Sequence, residues 1–231
     1  PSQIGIFPLG IDIDHYNIRE YEYPKELQEL ASGENPKIVM YAGRLIEMKG
    51  IKNLLKAEKL YNQKGDVMTV VIGGGELENY VKEIAAKRKN VHYLGFKEQK
   101  EMPLYLNFVA EHRGVFTVPS SSEGMSLVYL EAMACGSRVL ASCKKDMAEM
   151  DFMQRPYARF TEFGDIQELA DTITRMFQEK PLARSVIRRH MQKYNLDNFR
   201  GNVYELYERF IEKKKNILRD TTIINSFFYG R

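Results

Sequence analysis

"VMTVVIGGGELENYVKEIAAKRKNVHYLGF", from Val67 to Phe96, is the stretch whose reading decides the fold. An apolar run ends in Gly73, Gly74 and Gly75, a charged helical run follows, and a second apolar run closes the unit. The run "VVIG" does not alternate apolar with polar residues, as expected of a strand covered by helices on both faces. Strand, helix and strand in that order form a βαβ unit with parallel strands.

The same alternation extends in both directions. "KIVMYAG" (Lys37 to Gly43) reads as a strand, and "IKNLLKAEKLYNQ" as a helix with apolar residues at Ile51, Leu54, Leu55 and Ala57. Downstream, "KEMPLYLNFVAEH" is a helix, "GVFTVP" a strand, and "SLVYLEAMAC" a helix stopped by Gly136. "SRVLAS" is a fifth strand and "PYARF" a sixth; Asp165 caps "IQELADTITRMFQE". "LARSVIRRHMQKY" and "LDNFRGNVYELYERFIEKKKNIL" complete the helices. The expected fold is α/β: a doubly wound, Rossmann-like parallel sheet with a C-terminal helical extension. Residues 1–36 read as a lead-in and linker, 37–195 as the sheet domain, and 196–231 as a terminal helix and a tail. The tail, "RDTTIINSFFYGR", carries aromatics and no clear period.

A chain of 231 residues is long enough to bury a core without disulfide or metal. Its 34 basic and 31 acidic residues leave a net charge of only +3, too little to argue for nucleic acid without a concentrated basic patch. The basic runs "RSVIRRH" and "EKKKN" fall on late helices and read as solvated faces. Cys135 and Cys143 lie in apolar surroundings without metal-ligand spacing, so they read as buried free thiols of a reducing compartment. No apolar run approaches the roughly 18 residues needed to span a membrane, and no signal peptide is visible. A cytoplasmic location is expected. The chain opens on "PSQIGIFPLGID" rather than Met, as a fragment or processed product would.

In open parallel sheets ligands bind beyond the carboxyl ends of strands, and each informative motif falls at such a strand-to-helix turn. In "AGRLIEMKG", Arg44 follows a strand and Lys49 precedes a helix. Read alone, the two are solvated charges. At a helix start they also suit a diphosphate, by adding charge-assisted bonds to the free amides. Gly73 to Gly75 allow a tight turn, but Leu77 and Glu78 do not supply the last glycine of G-x-G-x-x-G, so a dinucleotide fingerprint is unsupported. In "VPSSSEGMSLVYLEAMACG", Ser120 to Glu123 form a polar turn, and Gly124 frees the backbone at a helix entrance. Amides of Met125, Ser126, Leu127 and Val128 would point outward there. Glu131 lies about two turns on, where a lone Glu reads as solvent-facing; paired with Glu123 it suits recognition of vicinal hydroxyls.

Taken in order, "AGRLIEMKG", "VIGGGELENYV", "NVHYLGF", "VPSSSEGMSLVYLEAMACG" and "RVLAS" resemble the C-terminal, nucleotide-sugar-binding domain of retaining GT-B glycosyltransferases. The resemblance covers roughly Ile6 to Phe177. It is to the glycogen-synthase-like and mannosyltransferase-like enzymes with an E-x7-E motif, here Glu123 and Glu131. It implies that Arg44 and Lys49 bind the donor diphosphate and stabilise the leaving group, and that Glu123 faces the transferred sugar. Glu131 would hold the ribose hydroxyls, Gly124 to Val128 the sugar and phosphates, and Leu94, Gly95 and Phe96 the base, with Gly43 and Gly74 completing the donor pocket. The catalytic set implied is therefore Arg44, Lys49 and Glu123.

This sequence departs from the family at "CKKDMAEM", which keeps only Glu149, at Arg138, where a Pro is common, and at two extra residues in "FVAEHRGVF". The resemblance implies hexose transfer from a UDP-, GDP- or ADP-linked sugar to a hydroxyl acceptor, with no cofactor and no metal. The acceptor would come from an N-terminal domain that this chain lacks, so the chain alone would turn over little. A sucrose-(phosphate)-synthase-like or trehalose-phosphate-synthase-like transferase and a non-catalytic nucleotide-sugar-binding module are the alternatives. GT-B epimerases would fit the fold but not this spacing of Arg, Lys and paired Glu.

Overall fold

The computed structural model describes residues 9–31, 36–121, 126–142, 155–180 and 182–228, with side chains as far as 212 in the last helix. Six strands form one parallel sheet: β1 (Lys37–Ala42), β2 (Val67–Ile72), β3 (Val91–Tyr93), β4 (Val115–Val118), β5 (Arg138–Ser142) and β6 (Ala158–Thr161). Their order is β3-β2-β1-β4-β5-β6. The chain builds outward from β1 in one direction, then returns to β4 on the other side. That reversal between β1 and β4 is the topological switch point at which doubly wound sheets hold ligands.

The strands carry continuous apolar runs because helices cover both faces. All four residues of β4 and all five of β5 are buried. The helices are α1 (Lys25–Leu30), α2 (Ile51–Tyr61), α3 (Glu78–Lys87), α4 (Met102–Glu111), α5 (Leu127–Ala134), α6 (Ile166–Gln178), α7 (Arg184–Met191) and α8 (Leu196–Phe228). The apolar spacing of α2 puts Ile51, Leu54, Leu55 and Ala57 in the core; full burial of each leucine contributes about 1.5–3 kcal/mol. Helix α2 packs on α6, and α5 packs on α4 and α7. The expected punctuation is present. Asp165 accepts a bond from the Glu168 amide at 2.8 Å at the start of α6, and Gly136 follows α5 with φ 86°.

Two segments differ from the sequence reading. The tail shows no period in its sequence, yet α8 continues to Phe228. From Asn202 to Phe228 there is neither Gly nor Pro to stop it, and the next glycine is Gly230. The lead-in also packs closely on the sheet domain. Ile11 pairs with Asn195, and Ile11, Tyr16, Leu27 and Leu30 are buried. The Arg188 guanidinium donates to the carbonyls of Tyr16 at 2.9 Å and Ile13 at 3.0 Å. Buried Asn107 on α4 donates to the Asn17 carbonyl at 2.8 Å and accepts from the Arg19 amide at 3.1 Å. Side chains from two helices thus hold residues 11–19 in place, including Tyr16.

Candidate functional site

A cleft of about 440 Å³ lies at the switch point, where Ala42, Ile72 and Val118 end β1, β2 and β4. Three turns build its walls, and each is fixed by backbone chemistry. The turn after β1 is tied to the glycine turn after β2: the Leu45 amide donates to the Gly74 carbonyl at 2.9 Å, and the Leu77 amide to the Leu45 carbonyl at 2.9 Å. Gly73 has φ 140°, and a Cβ there would lie 1.9 Å from the Gly43 carbonyl oxygen. The glycines therefore serve close approach of two loops, a packing role that the missing dinucleotide fingerprint had left open.

The same first turn is tied to the loop after β4. The Met48 carbonyl accepts from the Ser121 amide at 2.8 Å and the Ser120 hydroxyl at 2.9 Å. Gly50, with φ 70°, would place a Cβ 1.7 Å from the Pro119 carbonyl oxygen. The third wall is the start of α5, where Ser126 is the N-cap residue and its side chain makes no capping bond. The Tyr129 hydroxyl anchors α5 by donating to the Val118 carbonyl at 2.5 Å.

Of the residues expected at the site, Gly43, Arg44, Lys49, Gly74, Phe96, Ser126, Val128 and Glu131 line this one cleft. Arg44 is exposed and Lys49 half-buried. Phe96 is 74% exposed, a ring face open to a stacking partner. Leu94 packs against the core instead. The Gly95 carbonyl accepts from the Gly73 amide at 2.9 Å. Leu127 is 42% exposed and is not among the cleft-lining residues. Glu123, Gly124 and Met125 lie outside the described residues, as do Cys143 and Glu149. Cys135 is buried and free; burial pushes its thiol up to about 12.

Glu131 is half-buried on an otherwise apolar helix. Burial raises its pKa above the ordinary carboxylate value, with the Tyr16 hydroxyl and His15 opposing that shift. Tyr16 has no counterpart among the residues expected from sequence. It is 2% exposed and lines the cleft, and burial together with the Glu131 charge raises its own pKa. Its hydroxyl lies near enough to Glu131 for each to shift the other, yet it meets no acceptor at hydrogen-bonding geometry among the described residues. Lys97, Gln99 and Met102 also line the cleft without a sequence signal. Lys97 is paired with Glu26 at 3.1 Å. These residues sit in loops and helix starts whose spacing carries no periodic pattern.

Among the described residues no group of three or more His, Cys, Asp or Glu is placed to hold a metal ion. No helix of the described chain is long and apolar enough to cross a membrane.

The site therefore combines cations, glycine-bounded loops and a helix start at the switch point of a parallel sheet. Residues 22–193 match the family model described as glycosyl transferases group 1, and the chain belongs to that family. It is 28% identical over 231 residues to the lipopolysaccharide 1,2-N-acetylglucosaminetransferase of Salmonella typhimurium, covering 93% of this chain and 57% of the relative. The fold matches the C-terminal domain of the group 1 family protein LpcC from Francisella tularensis. That likeness has a TM-score of 0.59 at 21% identity, over 82% of this chain and 96% of the other. It also matches HepE from Anabaena, in complex with UDP and glucose, with a TM-score of 0.67 at 22% identity, over 87% and 55%. The chain spans about half the length of the curated relatives it matches.

Proposed function

We propose that this chain is the donor-binding half of a retaining glycosyltransferase, moving a hexose from a nucleoside-diphosphate sugar to a hydroxyl acceptor. The observation that carries the proposal is the meeting of Arg44, Lys49, the start of α5 and Glu131 around one cleft at the switch point. The complex of HepE with UDP and glucose supports a nucleotide sugar as the occupant.

When the sugar leaves its nucleotide, negative charge grows on the diphosphate. Positive groups already in place stabilise that charge without reorganising, and Arg44 and Lys49 fill that role. The first amides of α5 add donors to the same phosphates. Glu131 accepts two hydrogen bonds from the vicinal hydroxyls of the ribose, and Phe96 offers its exposed ring to the base. Glu123 is assigned to the transferred sugar on its place in the sequence alone. The acceptor is brought by residues beyond this half.

Calorimetry with UDP-, GDP- and ADP-sugars tests the reading. One of them is expected to bind; a folded chain that binds none would overturn it. Arg44→Ala is expected to weaken donor binding by about 1.5–3 kcal/mol, the value of a hydrogen bond to a charged group. Unchanged affinity would reject the diphosphate role of Arg44.

A further inference from the structure

A second cavity, of about 410 Å³, lies at the opposite end of the strands. Gly114, just before β4, and Arg138, the first residue of β5, border it. It therefore opens at the amino ends of the strands, whereas the donor cleft opens at their carboxyl ends. Four residues of β4 separate the two levels, roughly 13 Å of strand.

Four cations line this cavity, Arg113, Arg138, Lys180 and Arg184, against one carboxylate, Glu111. Glu111 is engaged elsewhere, accepting from the Tyr23 hydroxyl at 2.5 Å. Glu179, the other acid close to Arg138, is paired with Arg159 at 3.1 Å. Among the described residues, none of the four cations has a carboxylate within ion-pair distance.

The two arginines at the base are held rigidly. Arg138 is 7% exposed, and its terminal nitrogens donate to the carbonyls of Met176 and Arg113. Arg184 donates to the Asn107 side chain and to the Cys135 carbonyl, the latter at 3.1 Å. In both, the Nε–H is buried without a hydrogen-bond partner. Burial pushes the Arg138 pKa down, with Glu179 opposing and Arg159 and Arg113 adding to the shift. One buried and one half-buried guanidinium, each with an unused Nε–H and no carboxylate in ion-pair contact, are costly to leave so. Helix α7 begins at the same wall, with Ala183 as N-cap, no capping side chain and no acid in its first turn. Its free amides add further donors.

We propose that this cavity binds a phosphate group, either a free phosphate ester or a lipid headgroup. Planar guanidiniums match phosphate oxygens in geometry. Buried Arg138 and half-buried Arg184 supply charge at the base, and the exposed Arg113 and Lys180 supply charge at the rim. This site is separate from the donor cleft and does not depend on the function proposed above.

Inorganic phosphate titrated against the whole chain tests the proposal, with the arginine Nε–H resonances as readout. Saturable shifts at Arg138 and Arg184 are expected. The rim variant Arg113→Gly with Lys180→Ala is expected to weaken the response at least about tenfold. The fold should survive, because glycine accepts the φ of 53° at Arg113. Arg44→Ala should leave the response intact. No saturable shift at Arg138 or Arg184 would overturn the proposal, as would shifts that vanish in Arg44→Ala and persist in the rim variant. Vesicles carrying phosphatidic acid separate the two sources. Pelleting that the rim variant abolishes assigns a headgroup, and its absence alongside saturable shifts assigns a free phosphate ester.

Discussion

Glu131→Gln should stabilise the fold while weakening the proposed donor site. The substitution keeps the shape of the side chain and removes its charge. In the folded chain burial opposes ionisation of Glu131, raising its pKa above the ordinary 4.5. Above the folded value the residue is ionised in both states, and the desolvation cost is borne in full by the native state. As pH falls through the folded value and then the unfolded one, the native state takes up its proton first and the cost disappears. The Gln variant should therefore be more stable than the parent near pH 7, and the gap should close as pH falls toward and below 4.5. Binding should move the other way. Two bonds from sugar hydroxyls to a carboxylate are worth about 1.5–3 kcal/mol each, against about 0.5–1.5 for a neutral acceptor. A net loss of about 1–3 kcal/mol follows, or roughly 5- to 150-fold in affinity. Urea melts across pH measure the first effect, and calorimetry with the bound nucleotide sugar measures the second. A variant that is less stable at pH 7 with unchanged donor affinity would refute the reasoning, since Glu131 would then be a structural residue.

Gly50→Ala places a Cβ where the Pro119 carbonyl stands and forces φ 70° on a residue for which it costs about 1–2 kcal/mol. The melting temperature should fall by at least roughly 4 °C; an unchanged Tm would show that the two loops are not locked together. Asn107→Leu strips partners from the Asn17 carbonyl, the Arg19 amide and Arg184. It should cost at least about 2 kcal/mol in urea unfolding, and limited proteolysis should cut within residues 9–31 sooner than in the parent.

The sheet was legible because its signals are local. Apolar runs such as "VVIG" and "GVFTV" mark strands buried on both faces, and Asp165 and Gly136 mark helix ends by their own chemistry. The strand order then follows from one reversal after β3. The candidate cleft was legible where a residue sits beside such a boundary or, as with Glu131, falls in a motif of the resembled family. Arg44, Lys49 and Ser126 adjoin strand ends or helix starts, and the sheet brings them together. Tyr16 carries no such mark. It reaches the cleft because Arg188 and Asn107 hold its segment, contacts separated by far more sequence than any local pattern spans. Only the last part of α8, beyond Leu218, escaped the sequence, because "RDTTIINSFFYGR" carries no apolar period.

Arg138 and Glu131 pose the same physical question in opposite signs. Each is a charge placed in a buried element, where an apolar residue would pack at no electrostatic cost. Neither has a full counter-charge among the described residues: Tyr16 offers Glu131 a hydroxyl near hydrogen-bonding reach, and Arg138 has carbonyls for two of its three nitrogens. A chain that needed only stability would replace both, because a buried unpaired charge is destabilising and its apolar substitute is not. Both residues line cavities, and a ligand of opposite character would remove the penalty in each: hydroxyl donors at Glu131, an anion at Arg138. If the two proposed ligands bind, the expense in the free chain would make that binding selective. An apolar molecule would gain nothing at either position, and a ligand lacking the matching groups would leave the charge unpaired.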